Sequence, residues 1–400
     1  MFLDKFISET GSIFWFSLLA LSILSFLVIK LKTLMGPIAL ALLYFIISIS
    51  WALNFVNAVD AILLLFLFVL IVFSIRFGSS INNNIKIKNA SFNMPSAKLI
   101  WIIFGGFLFS SFFFLFSVFY SGDHSKLSWT VEYRYFSYLL SFMMSVVLSV
   151  AFFLMTRGVY LYYFLTVLAF LFYGLTVGSK GVLIGLAVLF IVLYVSRLNK
   201  LNFSNLVFSR AVFIPLATVI LSAFLFFGSD PYIPFMSRLA ATVDGLFIIK
   251  TSQLYPDFEL DFSVWRYIFD AFASKIYGSI ESIGQILASE SLFLPYPPYG
   301  GPNDSVVIYM LLSGAVDKFF IFIMMSALSM LFGFVDSIFK KNINNITLLT
   351  CLFLLPLYLQ FSGLYQGVGT FFILLARTYI VLVPFVFFLY VIGASASEKK

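Results

Sequence analysis

The residues of this chain best suited to chemistry are cations set against long apolar runs. Lys180 lies in TVGSKG, a tight turn between two such runs. A lysine held there can contact a phosphate just above a headgroup layer, or simply extend its ammonium to the interface. Gly181 and Gly185 follow at a spacing that lets helices approach closely. Arg377 lies in FFILLARTYIVLVPF, about seven residues inside an apolar run. A cation at that depth costs about 2.5–3.5 kcal/mol on insertion scales, so it needs a counter-charge, backbone carbonyls or a wet cavity. An anion site inside a helix bundle is one such setting. Arg238 and Arg266 are the two arginines of segment 229–318, and Arg134 sits at the mouth of another run in VEYRYFSY. The guanidinium fork suits phosphate oxygens, although neighbouring acids also allow plain salt bridges.

The acids divide into two groups. Asp304 lies in YGGPNDSVV, where a Gly-Gly-Pro turn precedes an apolar run. Asn303, Asp304 and Ser305 should form the helix start, and Asp304 is a good N-cap. Asp257, Glu259 and Asp261 alternate in PDFELDF. Their oxygens suit a divalent cation, but the spacing is not an EF-hand loop and a solvated segment is the plainer account. No metal and no cofactor are expected. His124 is the only histidine, in a short loop where it reads as decoration and cannot build a histidine metal site, and Cys351 is the only cysteine, so no internal disulfide is available. No P-loop, dinucleotide fingerprint, HExxH or GxSxG is present.

Apolar helices must position these groups. Hydrophobic residues are 62% of 400 and charged residues 10%, too few charges to cover a soluble fold of this size. The fold class is therefore an all-α polytopic membrane protein. Eleven runs are long enough to cross a bilayer: 12–29, 34–53, 59–75, 99–120, 135–155, 159–176, 181–196, 211–228, 319–335, 345–361 and 370–392. The first is read as a retained span, without a signal-peptide cleavage site after it. Of the Lys and Arg in short connections, 14 fall on one side and 4 on the other. The positive side is cytoplasmic, which puts the C-terminus inside and the N-terminus outside. An even count with both ends inside is the rival topology. The net charge of +7 thus reads as topology and not as nucleic-acid binding.

Three regions follow: a bundle of about eight spans over 1–228, a large outer segment over 229–318, and about three spans over 319–400. The outer segment carries ten of the chain's 17 acids. Short helices are expected near 235–252, 262–288 and 304–316, with PYPPYGGPND irregular between the last two. Phe262, Trp265, Ile268, Phe269 and Phe272 recur at helical spacing, giving one apolar face.

The span count, the GSKG turn, the late outer segment and GGPNDSVVIYMLLSGAV leading into the next span together resemble the bacterial O-antigen and polysaccharide repeat-unit polymerases (Wzy-type). The layout covers nearly the whole chain, while the short motifs are individually unspecific. The resemblance implies a GT-C-like membrane glycosyltransferase in the bacterial inner membrane, active at the periplasmic face. It would move a growing glycan from undecaprenyl diphosphate to a hydroxyl of a new lipid-linked repeat, beside a chain-length regulator protein. Where polymerases and ligases often carry His-Asn, this chain has Pro302-Asn303-Asp304. On this reading Asp304, Arg238 and Arg266 are catalytic, with Asp304 on the acceptor hydroxyl. Lys180, Arg377 and Arg134 bind diphosphate, whose departure cations can assist without a metal. Trp265, Tyr296 and Tyr299 stack on sugar rings. An O-antigen ligase and a lipid-linked oligosaccharide flippase are the alternatives.

Overall fold

In lipid a backbone must satisfy its own N–H and C=O groups, and a helix does so locally. A computed structural model describes residues 10–29, 36–81, 96–121, 134–157, 163–177, 242–255, 257, 259, 287, 305–341 and 346–397. Among the described residues there is no strand. The helices are α1 (Ser12–Ile29), α2 (Pro37–Ala52), α3 (Ala58–Ile81), α4 (Ser96–Phe116), α5 (Arg134–Thr156), α6 (Tyr163–Val177), α7 (Asp244–Thr251), α8 (Val306–Leu312), α9 (Ala315–Lys341), α10 (Leu348–Gln360) and α11 (Val368–Ser397).

Five stretches, Ser12–Ile29, Ala58–Ile81, Ala97–Phe119, Tyr138–Thr156 and Ala315–Lys340, are long and apolar enough to cross a membrane. Shorter apolar helices occupy Pro37–Ala52, Leu165–Thr176, Leu348–Gly363 and Phe371–Phe387. The chain is thus an all-α, membrane-embedded protein. Runs 181–196 and 211–228 lie outside the described residues, as does the expected helix 262–288 apart from Leu287. Phe16, Leu19, Val59, Ile62 and Phe73 stand exposed on α1 and α3, as lipid-facing side chains must.

The chain folds as two compact units. The first holds Met1–Asn84, Ser222–Ser337 and Gln360–Ile373. The second holds Ile85–Leu221, Ile338–Leu359 and Leu374–Lys400.

In the first unit α3 and α9 run side by side in the same direction. Asp60 meets Lys318, Phe66 meets Phe322, and Ser74 Oγ lies 2.7 Å from Ser326 Oγ. Further along, a Cβ on Gly78 would lie 1.9 Å from the Met330 carbonyl oxygen, and one on Gly333 2.0 Å from that of Ile75. Only glycine lets the two backbones come so near, and Ser79 Oγ donates across the gap to Gly333 O at 3.1 Å.

One expectation about segment 304–316 is corrected. It does not form a single outer helix: α8 ends at Leu312, Ser313 and Gly314 break the chain, and α9 begins at Ala315. Every residue from Ser305 to Ser313 is buried. It packs against α2 and α3. Its N-cap position belongs to Ser305 and not to Asp304, with no side-chain capping bond. The Val306 N–H donates to the Tyr365 carbonyl, and the Tyr365 hydroxyl reaches Ser329 Oγ at 2.7 Å. Ser329 lies roughly 21 Å along α9 from Ala315, at 1.5 Å per residue. The start of α8 is therefore buried well below the start of α9, so α8 climbs back toward Gly314 before α9 descends. A sequence apolar on every side, VVIYMLL, suits such a dip, which is tolerated only where protein surrounds it.

In the second unit α4, α5, α10 and α11 share a core of Leu99, Ile103, Phe142, Val150, Leu352 and Leu382, among others. Ser141 Oγ lies 2.9 Å from Tyr173 Oη, tying α5 to α6. The hydroxyl of Tyr379 donates to the Phe353 carbonyl, tying α11 to α10.

Gly333→Ala should destabilise the protein by about 1–3 kcal/mol, since overpacking here meets backbone and not a movable side chain. Gly105→Ala, with nothing within 4 Å of its Cβ, should be neutral or slightly stabilising. Thermal unfolding of both variants in detergent tests the difference.

Candidate functional site: a polar cluster on paired helix starts

Because α3 and α9 are parallel, their N-termini lie together, and polar groups gather there. Asn57 precedes α3, and its Oδ1 accepts the Asp60 N–H at 2.8 Å. That is an N-cap bond to the third helical residue, with an acid at the positive end of the helix. The Asp60 carboxylate accepts from Lys318 Nζ at 3.1 Å through one oxygen. Its other oxygen accepts from Tyr255 Oη at 2.6 Å. The same phenol oxygen accepts the Asn57 N–H at 3.0 Å. The side chains of Lys318 and Asp60 are 20% and 11% exposed, so this pair is better shielded than a surface ion pair. Burial first, and then the bond to Asp60, push the Tyr255 hydroxyl from 10.0 up to about 12.

Tyr255 is brought there by α7. That helix ends in a Schellman turn: Leu254 N–H donates to Ile249 O and Gln253 N–H to Lys250 O. Gln253 adopts φ 55° at the position usually filled by glycine. Four residues past Tyr255, the Glu259 carboxylate lies against Gly314, where a Cβ would meet Oε1 at 2.3 Å. Tyr255 is thus bonded at the start of α3, and Glu259 lies beside Gly314, just before α9.

Aromatic rings continue the cluster. Trp51 lies 5.6 Å from Phe55 and 6.1 Å from Phe247, and Phe55 lies 6.0 Å from Tyr255. Lys250 Nζ stands 5.4 Å above the Trp51 ring. Among the described residues, Ser50 Oγ, Trp51 Nε1, Ser305 Oγ and Ser313 Oγ are buried without a hydrogen-bond partner, as is Ser25 Oγ on α1. Leaving such an atom unmet costs about 1–3 kcal/mol.

Of the residues expected from sequence, Arg134 is the first of α5, and Arg377 lies within α11. For both, the description extends to the backbone. Lys180, Arg238, Arg266, Asp304, Trp265, Tyr296 and Tyr299 lie outside the described residues, as do Asp261 and His124. Among the described residues no three His, Cys, Asp or Glu side chains group as metal ligands. The sequence reading passed over Asp60, Tyr255 and Trp51, and counted Lys318 only among the loop charges. The signal available was Asn57-x-x-Asp60 at the head of an apolar run, a capping pattern that also sets an acid at a membrane boundary. No family model, curated protein or solved structure matches this chain.

Tyr255→Phe should lower stability by roughly 1.5 kcal/mol, the low end for a bond to a charged group because the site is partly exposed. It should also change the alkaline limb. The folded state holds the phenol proton longer than the unfolded one, so this contribution is whole below pH 10.0 and is lost as pH rises through about 12. The fall in Tm above pH 10.0 should be shallower in Tyr255→Phe than in the parent.

Proposed function

We propose that this chain is a polysaccharide repeat-unit polymerase, a membrane glycosyltransferase that lengthens a lipid-linked glycan. One observation carries the reading. Tyr255 and Lys318 of the acid-rich stretch bind Asp60 at the start of α3, and Glu259 lies beside Gly314 at the start of α9. These polar groups are thereby held at a membrane boundary, where a lipid-anchored substrate presents its sugars and phosphates. The resemblance in span layout, in the GSKG turn and in GGPNDSVVIYMLLSGAV supports the same reading.

On this proposal eleven spans run from an outer N-terminus to an inner C-terminus, in a GT-C-like arrangement in the bacterial inner membrane. Residues 229–318 face the periplasm. Lys180, Arg377 and Arg134 neutralise the undecaprenyl diphosphate, and Arg238 and Arg266 stabilise it as it leaves. Asp304 orients and deprotonates the acceptor hydroxyl. The bond from sugar to diphosphate breaks, the bond from sugar to acceptor oxygen forms, and the acceptor proton leaves through the carboxylate. A good leaving group makes electrostatic stabilisation the main demand on the protein.

Deletion of the gene should leave single repeat units on the lipid A core. A core carrying no repeat would instead indicate a ligase or a flippase. Arg377→Ala should abolish polymerisation while the protein remains at normal levels in the membrane. Unchanged chain lengths in that variant, read on a lipopolysaccharide gel, would contradict the role given to Arg377.

A further inference from the structure

Helix α11 carries a single charge in its apolar stretch Phe371–Phe387, and that charge is Arg377. The residue lies nine positions past Val368, where α11 starts, or about 14 Å along the axis. Which way that position faces follows from the helix register. Residues three and four apart are neighbours on one face of a helix. For Arg377 these include Leu374, Ile380 and Val381, which are 42%, 59% and 38% exposed. Ile373, four positions before it, is half-buried, and Pro384, seven after, is exposed. The opposite face packs inward. Leu382 and Val386 are buried in the core of the second unit, and the Tyr379 hydroxyl donates to the Phe353 carbonyl of α10. Position 377 therefore lies on the outward strip of α11, while the helix is fastened by its other side.

In a membrane such a strip meets lipid tails. An arginine among tails is costly unless an anion or water accompanies it. The exposed cations Arg76, Lys98 and Arg157 avoid that cost differently, since each stands within five residues of a helix end. From there a long side chain extends to the headgroups. Arg377 is nine residues from one end of α11 and twenty from the other. The anion that can come to such a position is a phosphate carried by a lipid, whose own tail is at home on the strip. The guanidinium fork pairs with two phosphate oxygens at once.

We propose that the diphosphate of the lipid-linked substrate reaches Arg377 sideways from the bilayer, with its polyprenyl tail along Leu374, Ile380 and Val381, and not through the interior of the helix bundle. The inference rests on the polymerase reading, in which Arg377 binds diphosphate, and adds the route and the docking surface. The setting differs from the anion site inside a bundle that depth alone suggests.

The test uses the full chain in phosphatidylcholine nanodiscs, with undecaprenyl diphosphate as the probe and phosphatidylglycerol as competitor. The parent should bind undecaprenyl diphosphate, and an equal amount of phosphatidylglycerol should not displace it. Arg377→Gln should weaken binding about tenfold to a hundredfold, as loss of a charge-assisted bond does. Its Tm should stay unchanged or rise, because the strip is outside the core. Ile380→Trp keeps the strip apolar but fills it, so it should weaken binding about threefold to tenfold at unchanged Tm. Full binding in Ile380→Trp beside loss in Arg377→Gln would mean entry through the bundle, and would overturn the route while leaving the polymerase reading in place. Displacement by phosphatidylglycerol would mark an ordinary headgroup contact and overturn the proposal too. So would a Tm drop in Arg377→Gln, which would show the guanidinium paired within the protein, or unchanged binding in that variant. A parent that binds as proposed yet lengthens no glycan would contradict the polymerase reading alone. A parent that binds no undecaprenyl diphosphate would overturn both.

Discussion

The structure depends on how closely two parallel helices can approach. Gly78 and Gly333 remove the side chains that would hold α3 and α9 apart, and backbone meets backbone. In lipid, where tails are as apolar as leucine, such contact and a few hydroxyl bonds are the main attraction between helices. Parallel packing has an electrostatic cost, because both positive helix ends fall side by side. Asp60 on α3 and Glu259 against Gly314 offset that charge, and Lys318 joins the first of them. The polar cluster is thus a consequence of the glycine contact further down the same pair.

The second constraint is the dip of α8. A wholly apolar seven-residue helix has no face for water, and it is buried on all sides. Its start is fixed by the Tyr365 carbonyl, and Tyr365 is itself fixed by Ser329 and by stacking on Phe45 at 5.1 Å. Ser305 and the start of α8 are therefore held among the helices of the first unit. Chemistry placed at that junction would work inside the protein and away from bulk water, which strengthens every charge in it.

Helix identity was readable from sequence because membrane-length apolar runs have few alternatives. α1 and α5 start and stop close to where composition changes, whereas α3 continues past the apolar run 59–75 to Ile81. What composition could not reveal is where an apolar run breaks into two helices. SVVIYMLLSGAV reads as part of one outer helix near 304–316, whereas the partners of Val306 and Tyr365 hold its first half among the helices of the first unit. The candidate site was legible in kind but not in membership. Cations and loop acids stood out by their rarity, whereas Asp60 looked like an ordinary first-turn acid. Its pairing with Lys318 crosses 258 residues of chain and follows from a glycine contact that no local pattern announces.

The most direct measurement is reconstitution. The purified chain in liposomes, given its isolated undecaprenyl-diphosphate repeat unit, should yield a ladder of longer lipid-linked glycans and release undecaprenyl diphosphate as the ladder grows. Repeat units that remain single in the presence of folded protein, or that cross the bilayer without lengthening, would contradict the account.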